Sequence, residues 1–314
     1  MQSLDSNVIR EGAMTVTGGH VLRWQEWGNP GADKTILFNH GGPGSGFKDK
    51  HKSLFDPSTH RVIFYDQRGC GKSIPFAEVT NNTTQDLIED IEQLRIFFGL
   101  EQFILVGGSW GSTLSLLYAI NYPKRVYRIL LWSVYLIRQF ETDFVNDGRL
   151  EYFFPEAWSR FIDLVPKQER TSGDAIMAYY ADMIKSSDAE VATRYADEWT
   201  LWEASLITLS YNKAQLENDV LGDPNNLAIA RVETHYFMNK CFVPENYILN
   251  NIGKLRNIPC DVVHGRFDMC TPVISAVDLK NAWPGLNLQI VNSGHLRSDP
   301  EMFAALKETI NKNF

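Results

Sequence analysis

A serine with glycines two positions before and two after it, Gly107-Gly108-Ser109-Trp110-Gly111, is where this chain could do covalent chemistry. Serine is a weak nucleophile until a base takes its proton, and its hydroxyl must first be lifted clear of the backbone. A sharp turn from strand to helix does that lifting, and small residues on either side relieve the crowding it creates. The neighbours supply both halves of such a turn. Phe103-Ile104-Leu105-Val106 reads as a short buried strand, and Ser112 to Ala119 as the start of a helix. The same turn aims the main-chain N–H of Trp110 at the space the hydroxyl faces. A phosphate-binding loop is the competing reading, but no Lys-Ser or Lys-Thr follows to complete one.

A serine nucleophile needs a histidine and an acid. Of the seven histidines, His295 stands out, in a Gly-bearing loop after the apolar run Gln289-Ile290-Val291. Upstream, Cys260 to His264 reads as another strand, with Asp268 just past its end. Asp268 would fix the tautomer of His295, and His295 would take the proton from Ser109. Asp261 and Asp299 are the competing acids. Asp261 opens the strand at the wrong end, and Asp299 lies too close in sequence to His295 to face it. A developing oxyanion needs N–H donors, and His40-Gly41-Gly42-Pro43-Gly44, following the apolar Thr35 to Asn39, can offer one. Gly42 and Trp110 are the candidate donors.

These segments resemble the proline iminopeptidase (prolyl aminopeptidase) family of α/β-hydrolases, whose chain order of nucleophile, acid and base is also the one here. The similarity runs through His40 to Gly46, Tyr65-Asp66-Gln67-Arg68-Gly69-Cys70-Gly71-Lys72-Ser73, Gly107 to Thr113, Trp199 to Glu203, Ala230 to Phe237 and Gly265 to Pro272, nearly the whole chain. The resemblance implies an α/β-hydrolase fold and an exopeptidase that needs no cofactor or metal. It implies that Glu203 and Glu233 hold the free amino terminus of a small peptide or aminoacyl derivative. It implies that Cys270 lies close to the proline pocket, and that Tyr135, Tyr236 and Phe237 contribute to substrate binding. Trp132-Ser133-Val134-Tyr135 and Phe144-Val145-Asn146, bordering the pocket for the first side chain, depart from the family pattern, as does Leu296 after His295.

The residues must be positioned by a larger frame. From about residue 20 to 134 short strands alternate with helices, which implies a mostly parallel sheet flanked by helices. Thr84 to Gly99 is an amphipathic helix, with Leu87, Ile88, Ile91, Leu94 and Phe98 on one face and Gly99 ending it. Arg61 to Tyr65 and Ile129 to Trp132 are further buried strands. From 135 to 245 strand signals vanish, and spacing such as Ala175, Met177, Ala178, Ala181 and Ile184 is helical. The expected organisation is therefore a hydrolase core over 1–134 and 246–314 with a helical cap, 135–245, inserted between.

The cap segment carries ten Lys and Arg against nineteen Asp and Glu, so it holds the whole acidity of a chain whose net charge is −8. Such a cap attracts cationic substrates, or is simply a solvated acidic surface. Glu203 and Glu233 differ because each sits among aromatics, Trp199 and Trp202 or Tyr236 and Phe237. A buried carboxylate is costly without a partner. A protonated amine is one suitable partner, and a protein arginine such as the adjacent Arg231 is the other.

The 44% hydrophobic and 22% charged residues are ordinary for a globular enzyme. Met1 to Asn7 lacks a signal-peptide pattern, and no run of ~18 apolar residues occurs. Cys70, Cys241, Cys260 and Cys270 lack metal spacing and read as free thiols in a reducing compartment. The expected location is the cytoplasm, with no membrane or nucleic-acid partner. The residues leave the oligomeric state open. They admit an aminopeptidase, an esterase or amidase for small acyl substrates, or a non-catalytic binder on the same fold.

Overall fold

A computed structural model describes residues 7–314. The stretch Met1 to Ser6, most of the segment read for a signal peptide, lies outside the described residues. Eight strands form one sheet: β1 (Val8–Thr15), β2 (Val21–Gly28), β3 (Thr35–Asn39), β4 (Arg61–Tyr65), β5 (Phe103–Ser109), β6 (Val126–Val134), β7 (Cys260–Gly265) and β8 (Asn287–Val291). Their order is β1-β2-β4-β3-β5-β6-β7-β8. The pairings from β4 to β8 are parallel, and those of β1 with β2 and β2 with β4 are antiparallel. The sheet thus starts earlier than expected, with a hairpin from Val8, and β3 reaches β4 through a loop and a short 3₁₀ turn (Asp49–Leu54) instead of a helix.

Alternation along the strands divides the core in two, because successive side chains point to opposite faces. Leu37, Ile63, Leu105, Leu131 and Val262 face one cluster, which holds α1 (Thr84–Phe97) and α2 (Trp110–Asn121). Phe38, Phe64, Val106, Trp132 and Val263 face the other. Leu87, Ile88, Ile91 and Leu94 of α1 are buried as their spacing requires, and Gly99 turns the chain with φ +64°.

Between β6 and β7 the described residues contain no strand. The chain runs through α3 (Gln139–Asn146), α4 (Pro155–Asp163), α5 (Gly173–Ile184), α6 (Ala189–Ile207), α7 (Lys213–Val220), α8 (Asn225–Met238) and α9 (Tyr247–Asn251). Helices α4, α5, α6 and α8 share a third core built on an aromatic stack. In it the rings of Phe161 and Tyr180 are 4.3 Å apart and nearly parallel, and Trp202 stacks on Phe161 at 5.6 Å. On α5 the buried face is Ile176, Met177, Tyr180, Ala181 and Ile184, whereas Ala175 and Ala178 lie off it. Past β7, α10 (Ile274–Ala282) shares the cluster of α1 and α2, and α11 (Pro300–Asn313) covers the opposite face. No helix among the described residues is long and apolar enough to cross a membrane.

The start of α2 lies directly against the end of β3. A Cβ on Gly111 would stand 2.1 Å from the carbonyl oxygen of Asn39, inside any allowed contact. Gly111→Ala should therefore push α2 away from β3 and cost about 1–3 kcal/mol, the usual range for overpacking. Gly253→Ala, where nothing lies within 4 Å, is the control. Thermal denaturation of the two variants checks this: a lowered Tm is expected for Gly111→Ala alone.

Candidate active site

Ser109 is the last residue of β5 and Trp110 the first of α2, so the turn between strand and helix has no spare residue. Ser109 takes φ 55° and ψ −130°, a left-handed backbone that an L residue rarely adopts and that costs of order 1–3 kcal/mol. The glycines two before and two after it meet closely, and a Cβ on Gly107 would stand 2.3 Å from the carbonyl of Gly111. These contacts make Gly-x-Ser-x-Gly a steric requirement of the turn. The Trp110 N–H opens α2, where unpaired helix N–H groups favour negative charge.

His295 and Asp268 are held together. Asp268 lies in the loop just past Gly265, the last residue of β7, and its oxygens lie 3.0 and 2.9 Å from His295 Nδ1. Burial works against ionisation of Asp268, but His295 and the surrounding donors hold its pKa down to about 2. Burial also works against a charged His295, yet Asp268 outweighs it and leaves the imidazole above its ordinary value. The competing acids are engaged elsewhere. Asp261 pairs with Arg128 at 2.6 Å, and Asp299 accepts from Gly294 N–H at 2.8 Å, bracing the loop that carries His295. In this conformation no hydrogen bond joins the Ser109 hydroxyl to His295 among the described residues. Catalytic hydrogen bonds often tighten only when substrate is bound.

Ser109 opens onto a cavity lined by Gly42, Tyr135, Glu141, Trp202, Glu203, Glu233, Phe237, Cys270 and Thr271, among others. Glu203 on α6 and Glu233 on α8 thus wall the same space as Ser109. Glu233 is buried, and its Oε2 accepts from Trp199 Nε1 at 2.6 Å. Its Oε1 is buried and accepts from no described N–H group, while the carboxyl as a whole adjoins that of Glu203. Arg231 is turned away, donating to the carbonyl of Ile184 at 3.3 Å. Neither glutamate has an ion pair with a described Lys or Arg. Burial, and then the charge of Glu203, push the Glu233 carboxyl well up. Burial raises Glu203 too, against the opposing pull of His295. Cys270 sits beside this pair, and burial followed by Glu203 pushes its thiol up, which makes it a poor nucleophile at neutral pH.

Tyr135 and Phe237 line the cavity, with rings 6.3 Å apart and nearly perpendicular. Tyr236 does not. Its ring packs edge-on against Trp110 at 4.9 Å, and its hydroxyl donates to Asn82 Oδ1, so it lies behind the site. This corrects its expected place. On α8, Glu233 and Phe237 share the cavity side one turn apart, and Tyr236 is rotated off it. Two neighbours of the acid escaped notice in the sequence. Thr271 donates both its N–H and its hydroxyl to Asp268, and buried His264 links the Val134 N–H to the Thr271 carbonyl. No local pattern announces either, because both act through main-chain or paired contacts. Among the described residues no cluster of His, Cys, Asp and Glu could hold a metal ion.

A family model for the alpha/beta hydrolase fold matches residues 34–299. Solved structures agree at the level of fold: a bromoperoxidase from Bacillus anthracis has a TM-score of 0.66 at 17% identity over 96% of this chain and 99% of that one. An esterase from Exiguobacterium antarcticum has a TM-score of 0.65 at 15% identity over 96% and 98%. Among curated proteins, the proline iminopeptidase of Neisseria gonorrhoeae is 39% identical, covering 96% of this chain and 95% of its own. That of Arabidopsis thaliana is also 39% identical, over 94% of this chain and 77% of the relative. The chain is a hydrolase of the α/β fold. It belongs to the proline iminopeptidase family.

The geometry around His295 sets a pH dependence. Only a neutral imidazole accepts a proton, so with His295 as the base activity is expected to rise with pH through its pKa. The acid limb of kcat/KM is expected above the ordinary histidine value of about 6.5. Asp268→Asn removes the interaction that raises it, so the limb should move down while the rate falls by roughly 10⁴. A pH–rate profile of both proteins checks this; an unshifted limb would take the proton-accepting role from His295.

Proposed function

We propose that this chain is a serine aminopeptidase that releases the N-terminal residue, proline foremost, from small peptides and aminoacyl amides. The observation that carries the proposal is the pair of adjoining carboxyls, Glu203 and buried Glu233, that has no ion pair with a described Lys or Arg and walls the cavity that Ser109 faces. Two carboxylates without a protein cation lack a counter-charge. A protonated α-amine, or the secondary ammonium of an N-terminal proline, supplies it together with N–H donors. The names of the relatives point to the same substrate class.

In the proposed reaction Glu203 and Glu233 hold the amine and so present the first carbonyl carbon to Ser109. Ser109 Oγ attacks it as His295 Nε2 takes the hydroxyl proton, and Asp268 keeps the Nδ1–H in place. The Gly42 and Trp110 N–H groups receive the oxyanion. Collapse expels the leaving amine, which takes the proton from His295, and leaves an acyl ester on Ser109. Water, activated by His295, cleaves that ester and restores the serine. The stretch 135–245 acts as a cap that supplies both carboxylates, Phe237 and Tyr135, and excludes blocked or internal peptide bonds because these lack the cation.

The deciding experiment is a panel of aminoacyl-naphthylamides, free and N-blocked, run beside a neutral ester. Glu203→Gln and Glu233→Gln should lower kcat/KM for free-amine substrates by about one to two decades, the worth of a charge-assisted hydrogen bond of roughly 1.5–3 kcal/mol. The neutral ester should lose far less. Equal losses on both substrates would make the glutamates structural and favour an esterase.

A further inference from the structure

The segment Asp66 to Ser73 follows β4 and has no part in the chemistry above, yet its second residue, Gln67, touches both the loop after β3 and the first residue of α2. Asp66 accepts from the N–H groups of Phe47 and Lys72 at 2.8 and 2.9 Å and so pins the loop at both ends. Gln67 is buried and uses its side chain in full. Its Nε2–H donates to the carbonyl of His40 at 3.0 Å, and its Oε1 accepts from the indole Nε1–H of Trp110 at 2.9 Å. Its main-chain N–H donates to His40 Nε2 at 3.0 Å, so that imidazole carries its hydrogen on Nδ1, facing the Gly41 carbonyl at 2.8 Å. One side chain thus joins the loop after β3 to the first residue of α2.

We propose that Gln67 is a positioning residue whose amide sets the separation of the two oxyanion donors, the N–H groups of Gly42 and Trp110. This rests on the proposed acyl-transfer function. The two donors belong to different segments, and an oxyanion hole works only when both N–H groups converge on one point. The Gly42 N–H lies in the peptide plane it shares with Gly41, so its direction depends on what holds His40 and Gly41, and Gly42 itself takes φ +107°, a conformation open chiefly to glycine. Trp110 is fully buried, with its indole hydrogen directed at Gln67, so a shift of the glutamine moves both donors together. The neutral amide serves both partners at once. An ionised glutamate has no hydrogen for the His40 carbonyl, and a methionine keeps the length but can serve neither partner.

The test uses Gln67→Met, Gln67→Glu and Trp110→Phe, the last removing the indole N–H while keeping the main-chain donor. With prolyl-naphthylamide, kcat should fall about ten- to a hundredfold, part of the loss typical for one oxyanion donor, with KM within about twofold. Affinity for the boronic acid analogue of proline, which forms a tetrahedral adduct on serine, should fall by the same factor as kcat. Inhibition by free proline should be unchanged. The Gln67→Met/Trp110→Phe double variant should lose no more than the worse single variant, because both break one connection. Wild-type kcat in Gln67→Met and Trp110→Phe overturns the proposal, as does an equal fall in boronate and proline affinity, which marks a general loss of structure. If Gln67→Met does not fold, Trp110→Phe decides the question by the same readouts. A wild-type enzyme that turns over blocked and free substrates alike refutes the aminopeptidase instead, and the kcat of Gln67→Met on a simple ester then still tests the glutamine.

Discussion

The strained turn at Ser109 is the constraint around which the molecule is arranged. A serine at φ 55° is stable only if its surroundings leave the chain no alternative. The surroundings here are unyielding: Gly111 against the Asn39 carbonyl, Gly107 against Gly111, and Gly108 under the ring of Trp132. Each contact ties the turn to a different strand or helix. β3, β5, β6 and α2 therefore fix Ser109 jointly, and their buried apolar faces stabilise the whole against the local strain.

Charge in the cavity is the second organising element. Asp268 and Glu203 both act on His295, while Glu203 and Glu233 act on each other. Asp268 gains from this and stays ionised, whereas Glu233 is driven toward its neutral form. Glu203 adds to the interactions that raise His295. Under the proposed function, an ammonium group bound at Glu203 offsets that contribution and so favours the neutral imidazole. Substrate recognition and readiness of the base are then linked through one carboxylate.

Legibility in the sequence followed the range of the interactions. Strands β3 to β7 were readable because they are buried on both faces and form short apolar runs. The hairpin partner β1 was not, since at the sheet edge Arg10 and Glu11 break its apolar pattern. The glycines of the elbow and the loop carrying Asp268 were readable because a tight turn leaves a local signature. The pairing of Glu203 with Glu233, on two different helices, came only through the family resemblance. The Glu233 oxygen that no described N–H group reaches, the outward turn of Arg231 and the bracing by Thr271 and Gln67 depend on contacts between distant segments, which no local pattern encodes. Tyr236 shows the limit clearly: its neighbours Glu233 and Phe237 line the cavity, but a helical rotation of about 100° per residue carries Tyr236 to the other side.

The same rotation locks the register of the whole site. Tyr236 stands on α8 between Glu233 and Phe237, and its ring rests on Trp110, which adjoins Ser109. Its hydroxyl reaches Asn82, whose side chain donates to the Arg68 carbonyl next to Gln67, and His235 approaches the Asn82 carbonyl at 2.9 Å. The Thr84 hydroxyl donates to the Cys241 carbonyl just beyond α8. Helix α8 is thus fastened to the sheet side at several buried points and cannot slide without breaking them. An exopeptidase must hold a fixed distance between the amine it grips and the carbonyl it attacks. Under the proposed function that distance is carried by one helix, from the Glu233 carboxylate on its cavity face to the Tyr236 ring on its other, and the ring rests on the residue next to Ser109.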